Sequence, residues 1–392
     1  RELGIAARTI VKIFSDLPDK AQAWQDFVAM AENWGGGRDA RNTAARSLVL
    51  VFVHVPDKDQ AWQDLIKIAS AGGSGGNQII VAQELSSAFA YVLDKEQAWQ
   101  DLVTLTGNEY IFVRSYAAKA LGTAFIHVRD KREAWTILHK LSHDTDDNIR
   151  SSIAYAIGSI FSYIPDKDEA WEDLVYLSKD SNKFVRVNAY HSLGRVNIFK
   201  ATTAKDNDTL KRNLEDAINY FDKSSYDSDR SPSRFCYPFY RSYYAITFQD
   251  AKENEVYRYL AEAKKAVGGS ESKEELLLAV DNLAKALQEA KSQRDRPLED
   301  NVSDLNCYRW YCEKAAEYMA AAEDEAPGAV RFMRKCNPLL EERIQSTIAE
   351  IQEKAMQICQ ITRGSGIKFE APVAEINRAA KALSLEDIQK TV

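Results

Sequence analysis

The residues nearest to a metal-binding pair are His139 and His143, four apart, with Asp144 beside them. On a helix that spacing turns both imidazoles the same way. No Glu stands between them as in a zinc hydrolase, so the pair reads as a solvated helix end and no metal ligand is assigned. A second stretch with binding chemistry runs from Arg234 to Phe248, where seven of the fourteen residues from Phe235 onward are aromatic. Arg234, Tyr237, Tyr240, Arg241 and Tyr243 are the candidate partner-binding residues, because Arg and large aromatics concentrate at interface hot spots. The competing reading is a core stripe of Cys236, Tyr240, Tyr244 and Phe248, widened by Phe239 and Tyr243. The five cysteines (Cys236, Cys307, Cys312, Cys336, Cys359) are odd in number and lack zinc-site spacing, which suggests reduced packing thiols in a cytoplasmic protein. No Gly-x-x-x-x-Gly-Lys-Ser/Thr loop occurs. No catalytic residue and no cofactor are expected.

The elements that position these residues are set by a repeat. Five segments end in tryptophan: Pro18–Trp24, Pro56–Trp62, Leu93–Trp99, Arg129–Trp135 and Pro165–Trp171, stepping by 38, 37, 36 and 36 residues. Such a period implies stacked two-helix units. Each segment carries Asp-Lys: Asp19, Asp57, Asp94, Asp130 and Asp166, with Gln or Glu three residues on. That is the capping-box arrangement, with the Asp accepting from the N3 amide and the N3 side chain reaching back. Apolar residues at i, i+3 around Trp99 and Trp171 make the indoles packing residues between layers, each needing an acceptor for its N–H. His54 and His127 stand three residues before a cap Asp, a repeat position rather than a catalytic one.

A second element recurs as Val113–Gly122, Ile149–Gly158 and Val185–Gly194, rich in small residues. Here the chain resembles the HEAT-repeat family, in particular the short HEAT-like repeats of phycobilisome lyases. The resemblance implies an Asp–Arg ladder between repeats, carried by Asp144 with Arg150, Asp180 with Arg186, and Asn108 with Arg114. It also implies a right-handed all-α solenoid over residues 1–200, about five repeats plus a partial N-terminal one. Residues 1–16 read as the second helix of a preceding repeat, which suggests a piece of a longer polypeptide. Gly35–Gly37 and Gly72–Gly76 read as flexible turns.

After residue 200 the repeat stops, and 201–392 is expected to be a helical domain with long antiparallel helices. Amphipathic segments run over 210–221, 255–267, 273–291, 304–322 and 338–360, the last with a near-heptad stripe from Leu340 to Ile358. Residues 1–200 carry 23 basic and 25 acidic side chains, and 201–392 carry 28 and 33. Neither half is a polycation, so nucleic acid is not expected as a partner, and no apolar run is long enough for a membrane span. The expected function is a non-enzymatic scaffold for a protein partner, or for the rest of a longer chain. The alternative is an enzyme or nucleic-acid binder of the DNA-glycosylase-like or bilin-lyase-like kind that the resemblance also admits.

Overall fold

The computed structural model describes residues 11–32, 37–71, 76–227, 231, 233–249, 253–267, 272–295, 305–322 and 328–364. Residues 1–10, most of both glycine-rich turns and the side chain of Cys359 lie outside these. Among the described residues every regular element is helical. The chain divides into two units, 1–196 with 226–231, and 197–225 with 232–392.

The first unit consists of five hairpins: α1 (Lys20–Glu32) with α2 (Arg38–Val51), α3 (Lys58–Ser70) with α4 (Gly76–Phe89), α5 (Lys95–Leu105) with α6 (Ile111–Ala124), α7 (Lys131–Ser142) with α8 (Asp147–Ile160), and α9 (Lys167–Leu177) with α10 (Lys183–Thr203). First helices stack on first helices and second on second, giving two layers, an α-solenoid of HEAT-like hairpins. Its core is a regular file of rings. Trp24, Trp62, Trp99 and Trp135 are buried, and so are Phe14, Phe52, Phe89, Phe125 and Phe161, which close the turns between hairpins. Trp24 meets Phe52 edge-on at 6.0 Å, Trp62 meets Phe89 at 5.9 Å and Trp99 meets Phe125 at 6.5 Å. Each ring thus packs across one hairpin, so removing any of them opens a cavity in its own layer. Trp171 is only half-buried.

Between second helices, small residues set the spacing. A Cβ placed on Gly122 would lie 2.5 Å from the Cβ of Ala156, and one on Gly158 would lie 2.8 Å from the Cα of Ser192. The backbones there approach more closely than any side chain allows.

The Asp-Lys pair proves to be a cap that works in both directions. Asp57, Asp94, Asp130 and Asp166 accept from the N3 amides of Gln60, Gln97, Glu133 and Glu169, and Asp19 accepts from that of Gln22. The neighbouring lysine turns back onto the segment just ended. Lys58 donates to the carbonyls of Val53 and Val55, Lys95 to those of Phe89, Ala90 and Val92, Lys131 to those of Ile126 and Val128, and Lys167 to that of Ile164. A cation on orphan C-terminal carbonyls is favourable by hydrogen bonding and by the helix dipole. Among the described residues the caps show only the aspartate half of the expected capping box. The N3 glutamines donate forward instead, Gln22 to Asp26, Gln60 to Asp64 and Gln97 to Asp101.

The second unit is built from α11 (Asn207–Asp227), α12 (Ser233–Phe248), α13 (Glu253–Ala266), α14 (Lys273–Asp295), α15 (Asn306–Ala321) and α16 (Ala329–Gly364). Helices α12 and α13 pair, α14 and α15 pair, and α16 packs on α12, α14 and α15. These share one core that includes Phe221, Phe239, Tyr240, Tyr243, Tyr308, Phe332 and Cys336. The heptad stripe buries Leu340, Ile348, Ile351 and Ala355, whereas Ile344 and Ile358 stay half-buried. Burial pushes the thiols of Cys312 up to about 11 and Cys336 up to about 12, so both are inert packing groups at neutral pH. Cys307 is exposed, against the expectation of five packing thiols, because it sits on the solvent side of α15.

Candidate functional site

In the first unit the tryptophans are tied from one hairpin to the next by a carboxylate. The indole N–H of Trp24 donates to Asp64 Oδ2 at 2.7 Å, and that of Trp62 donates to Asp101 Oδ2 at 2.9 Å. Gln25 and Gln63, the residues after each Trp, donate to the same oxygens. Each rung therefore satisfies a buried donor and locks one layer to the next. Beyond the third hairpin the rung changes. The carboxylate position two residues after the Trp holds Ile137 in the fourth hairpin, so Trp99 faces a layer without that acceptor. In the fifth hairpin the carboxylate returns as Asp173, but Trp135 donates instead to Glu169, one turn earlier.

Asp173 is thereby released, and it takes two imidazoles. His139 Nδ1 lies 2.9 Å from Asp173 Oδ2, and His143 Nε2 lies 3.1 Å from Oδ1. The carboxylate side chain is 3% exposed, while the two imidazoles are 36% and 42% exposed. The far nitrogen of His139, Nε2, stands 3.7 Å from Glu169 Oε1. The ring of His143 packs on that of His139 at 5.2 Å and on Tyr176 at 4.7 Å. One ligand atom from each of His139, His143 and Asp173 falls within 4.8 Å of the others, a set that could hold a metal ion. The solvated helix end expected for the two histidines is thus corrected: their inner edges close on a buried carboxylate from α9. The signal for Asp173 was its register, since it occupies the slot that takes an indole in earlier layers.

The Asp–Arg ladder runs along the other helix ends. Arg114 pairs with Asp146 through Nε at 2.9 Å, and Arg150 grips Asp180 through Nε at 2.7 Å and a second nitrogen at 3.1 Å. The residue six before each Arg contributes a backbone carbonyl rather than its side chain: Asn108 to Arg114, Asp144 to Arg150 and Asp180 to Arg186. The carboxylate of a rung comes from the next hairpin. Hydrogen bonding to Arg150 holds Asp180 below the usual carboxylate range. Deeper in the unit, His191 is wholly buried and stacked on Tyr155 at 5.9 Å. Burial, reinforced by Arg195, pushes its pKa well below the ordinary imidazole value and keeps it neutral.

The aromatic segment forms α12 in the second unit and is divided by burial. Tyr240 and Tyr243 are core residues. Tyr240 stacks on Phe221 at 5.4 Å, Tyr243 meets Phe332 at 5.3 Å, and the Tyr243 hydroxyl donates to Asn337 at 3.2 Å. Packing on α11 and α16 removes both from any partner-facing surface, which corrects their assignment. The buried stripe is Phe235, Cys236, Phe239, Tyr240 and Tyr243, with Tyr244 and Phe248 half-buried. Arg234 is exposed, and Tyr237 and Arg241 are half-buried. Arg241 donates to the Tyr237 hydroxyl at 2.7 Å and lies 4.4 Å from the centre of the Tyr259 ring. Tyr244 donates to Glu215, and its hydroxyl is pushed up to about 12 by burial and by that carboxylate.

No family model matches the chain, and no curated protein matches it. Among solved structures, a chain from the work entitled "Structure of the Pds5-Scc1 complex and implications for cohesin function" is similar at 11% identity, with a TM-score of 0.39, over 98% of this chain. The chain spans 63% of that one. A likeness of this size says nothing of what the present chain binds. No described helix is long and apolar enough to cross a membrane.

Proposed function

We propose that the chain is a non-enzymatic protein-interaction scaffold whose first unit carries a partner along the turns between hairpins. One observation carries this reading. The turn that ends each of the first four second helices buries its phenylalanine and holds one large apolar or aromatic side chain out at the next positions: Val53, Tyr91, Ile126 and Tyr163, all exposed. These recur once per layer on one edge of the stack, joined by the more exposed Leu93. A side chain that the stack does not bury, repeated at the layer spacing, suits an extended protein segment lying across the hairpins. In the second unit, Arg234, Tyr237 and Arg241 make a smaller candidate contact. The Asp–Arg ladder supports placing the hairpins with the phycobilisome-lyase type of HEAT-like repeat. The buried tryptophans count against a glycosylase-like cleft, which would need such rings facing its substrate.

The test compares proteins cross-linked in cells to the wild-type chain with those cross-linked to Tyr91→Glu/Ile126→Glu. Both sites are exposed, so the variant should keep the wild-type melting curve. Loss of the captured partner, with wild-type cross-links mapping to the turn edge, supports the proposal. An identical set of captured proteins defeats it.

A further inference from the structure

The structure assigns His139, His143 and Asp173 to a binding site for a transition-metal dication such as Zn²⁺, joining the fourth hairpin to the fifth. Local geometry supplies the two histidines, His139 in the last turn of α7 and His143 at its C-cap, four residues on. Register supplies the carboxylate from α9. A tetrahedral zinc site with bonds of about 2.0–2.1 Å spaces its ligand atoms roughly 3.3 Å apart. The two imidazole–carboxylate distances here are 2.9 and 3.1 Å. These two contacts use different oxygens of the carboxylate, and one ligand atom from each of the three residues lies within 4.8 Å of the other two, so rotation of the side chains brings all three onto one ion. Two imidazoles and one carboxylate suit zinc and its neighbours in the transition series and are a poor set for Mg²⁺ or Ca²⁺, which prefer oxygen. The half-exposed rings leave a fourth position open to water, the arrangement of a three-ligand site.

Two features separate this site from a hydrogen-bonded fastener. The first is that the layer does not need the histidines to hold it, because the Trp135 indole is already anchored on Glu169. The equivalents of His139 in the other hairpins are Val28, Ile66, Val103 and Val175, which carry no polar group. The second is the outer partner. When Nδ1 of His139 binds a metal, its proton moves to Nε2, and Glu169 Oε1 stands 3.7 Å from that nitrogen. A carboxylate behind a ligating imidazole fixes the ring and raises its basicity. No net proton is released from neutral imidazoles in this step, since each ring only exchanges the nitrogen that carries its hydrogen.

The test uses the full chain, stripped with a chelator and titrated with zinc chloride against a chromophoric competitor. One equivalent is expected to bind with an affinity lost by at least about 30-fold in His143→Gln and in Asp173→Asn, given that even outer-shell changes cost about 10- to 100-fold. His143→Gln lies at the exposed end of α7 and should retain the metal-free melting curve. An independent readout needs no variant: in the ¹H–¹⁵N spectrum of the imidazoles, His139 and His143 shift in step with one equivalent of Zn²⁺, while His54, His127 and His191 do not. Zinc uptake equal in wild type and both variants overturns the assignment, and so does a wild-type chain that takes up none.

Discussion

The indole–carboxylate rung between the first two hairpins can be cut from either side. Asp64 receives three donors: Trp24 Nε1 at 2.7 Å, Gln25 Nε2 at 3.1 Å and Gln60 Nε2 at 3.1 Å. Both Trp24 and Asp64 are buried. Trp24→Phe keeps most of the ring but deletes the N–H, and a hydrogen bond to a charged group contributes about 1.5–3 kcal/mol. The smaller ring adds a cavity cost of about 1 kcal/mol. Asp64→Ala leaves the indole N–H and two amides without their acceptor, at about 1–3 kcal/mol for the buried indole alone. Because both substitutions delete the same bond, the double variant should cost less than the two singles together, with a coupling of at least about 1 kcal/mol. Urea unfolding followed by far-ultraviolet circular dichroism measures all four corners of the cycle. Trp99→Phe is the internal control, since the next hairpin offers Ile137 where the acceptor would be, and only its cavity cost should appear. Additive single and double variants at Trp24 and Asp64, or an equal loss at Trp99, would refute the view that the rung fastens the layers.

Two further outcomes follow from the same unit. Gly158→Ala improves helix propensity by about 1 kcal/mol, yet its Cβ would sit 2.8 Å from the Cα of Ser192. A backbone atom cannot rotate away, so the variant should lose about 1–3 kcal/mol net of that gain in thermal unfolding; equal or higher stability would contradict the close approach of α8 and α10. His191 is buried neutral while its unfolded counterpart titrates near 6.5. The unfolded state binds the extra proton, so stability is intact above that pH. It falls as pH drops below about 6.5, by up to about 1.4 kcal/mol per unit, until the folded group itself protonates. His191→Gln should flatten that part of the pH–stability curve, and an unchanged slope would remove His191 as its cause.

How much of this was legible depended on the range over which each interaction acts. The aspartate caps could be read because donor and acceptor lie three residues apart. The lysine beside each was missed, although its acceptors are only a few residues back, because they are carbonyls that carry no side-chain signature. The Asp–Arg spacing marked Arg114, Arg150 and Asp180, but it missed Asp146, which supplies the carboxylate to Arg114, and Asp144 gives Arg150 only its backbone carbonyl. In α12 the pattern of aromatics left the buried face ambiguous. Seven rings in fourteen positions surround the helix, and only packing on α11 and α16 decides that Tyr240 and Tyr243 go inside. The pairing of helices in the second unit had no period to reveal it.

Periodicity also separates what the stack requires from what it does not. Cap aspartates and tryptophans recur in every described hairpin and phenylalanines in the turns between them, and the caps and the first four tryptophans have partners that explain the recurrence. Departures from the period need another explanation. In the fourth and fifth hairpins several coincide: Ile137 replaces a carboxylate, Glu169 replaces a glutamine and takes over an indole, and His139 replaces a valine or isoleucine. Taken singly, the first would weaken a rung, and the last would place an imidazole where the other layers have an aliphatic side chain. Together they leave the layer fastened and gather two imidazoles on one buried carboxylate that the fastening no longer uses. The same reasoning applies to the turn edge, where the position after the buried phenylalanine varies among Val53, Ala90, Ile126 and Ser162 while an exposed apolar or aromatic group persists after each of the first four hairpins. Variation in identity with persistence of character is what a surface shaped for a partner, rather than for the stack, would retain.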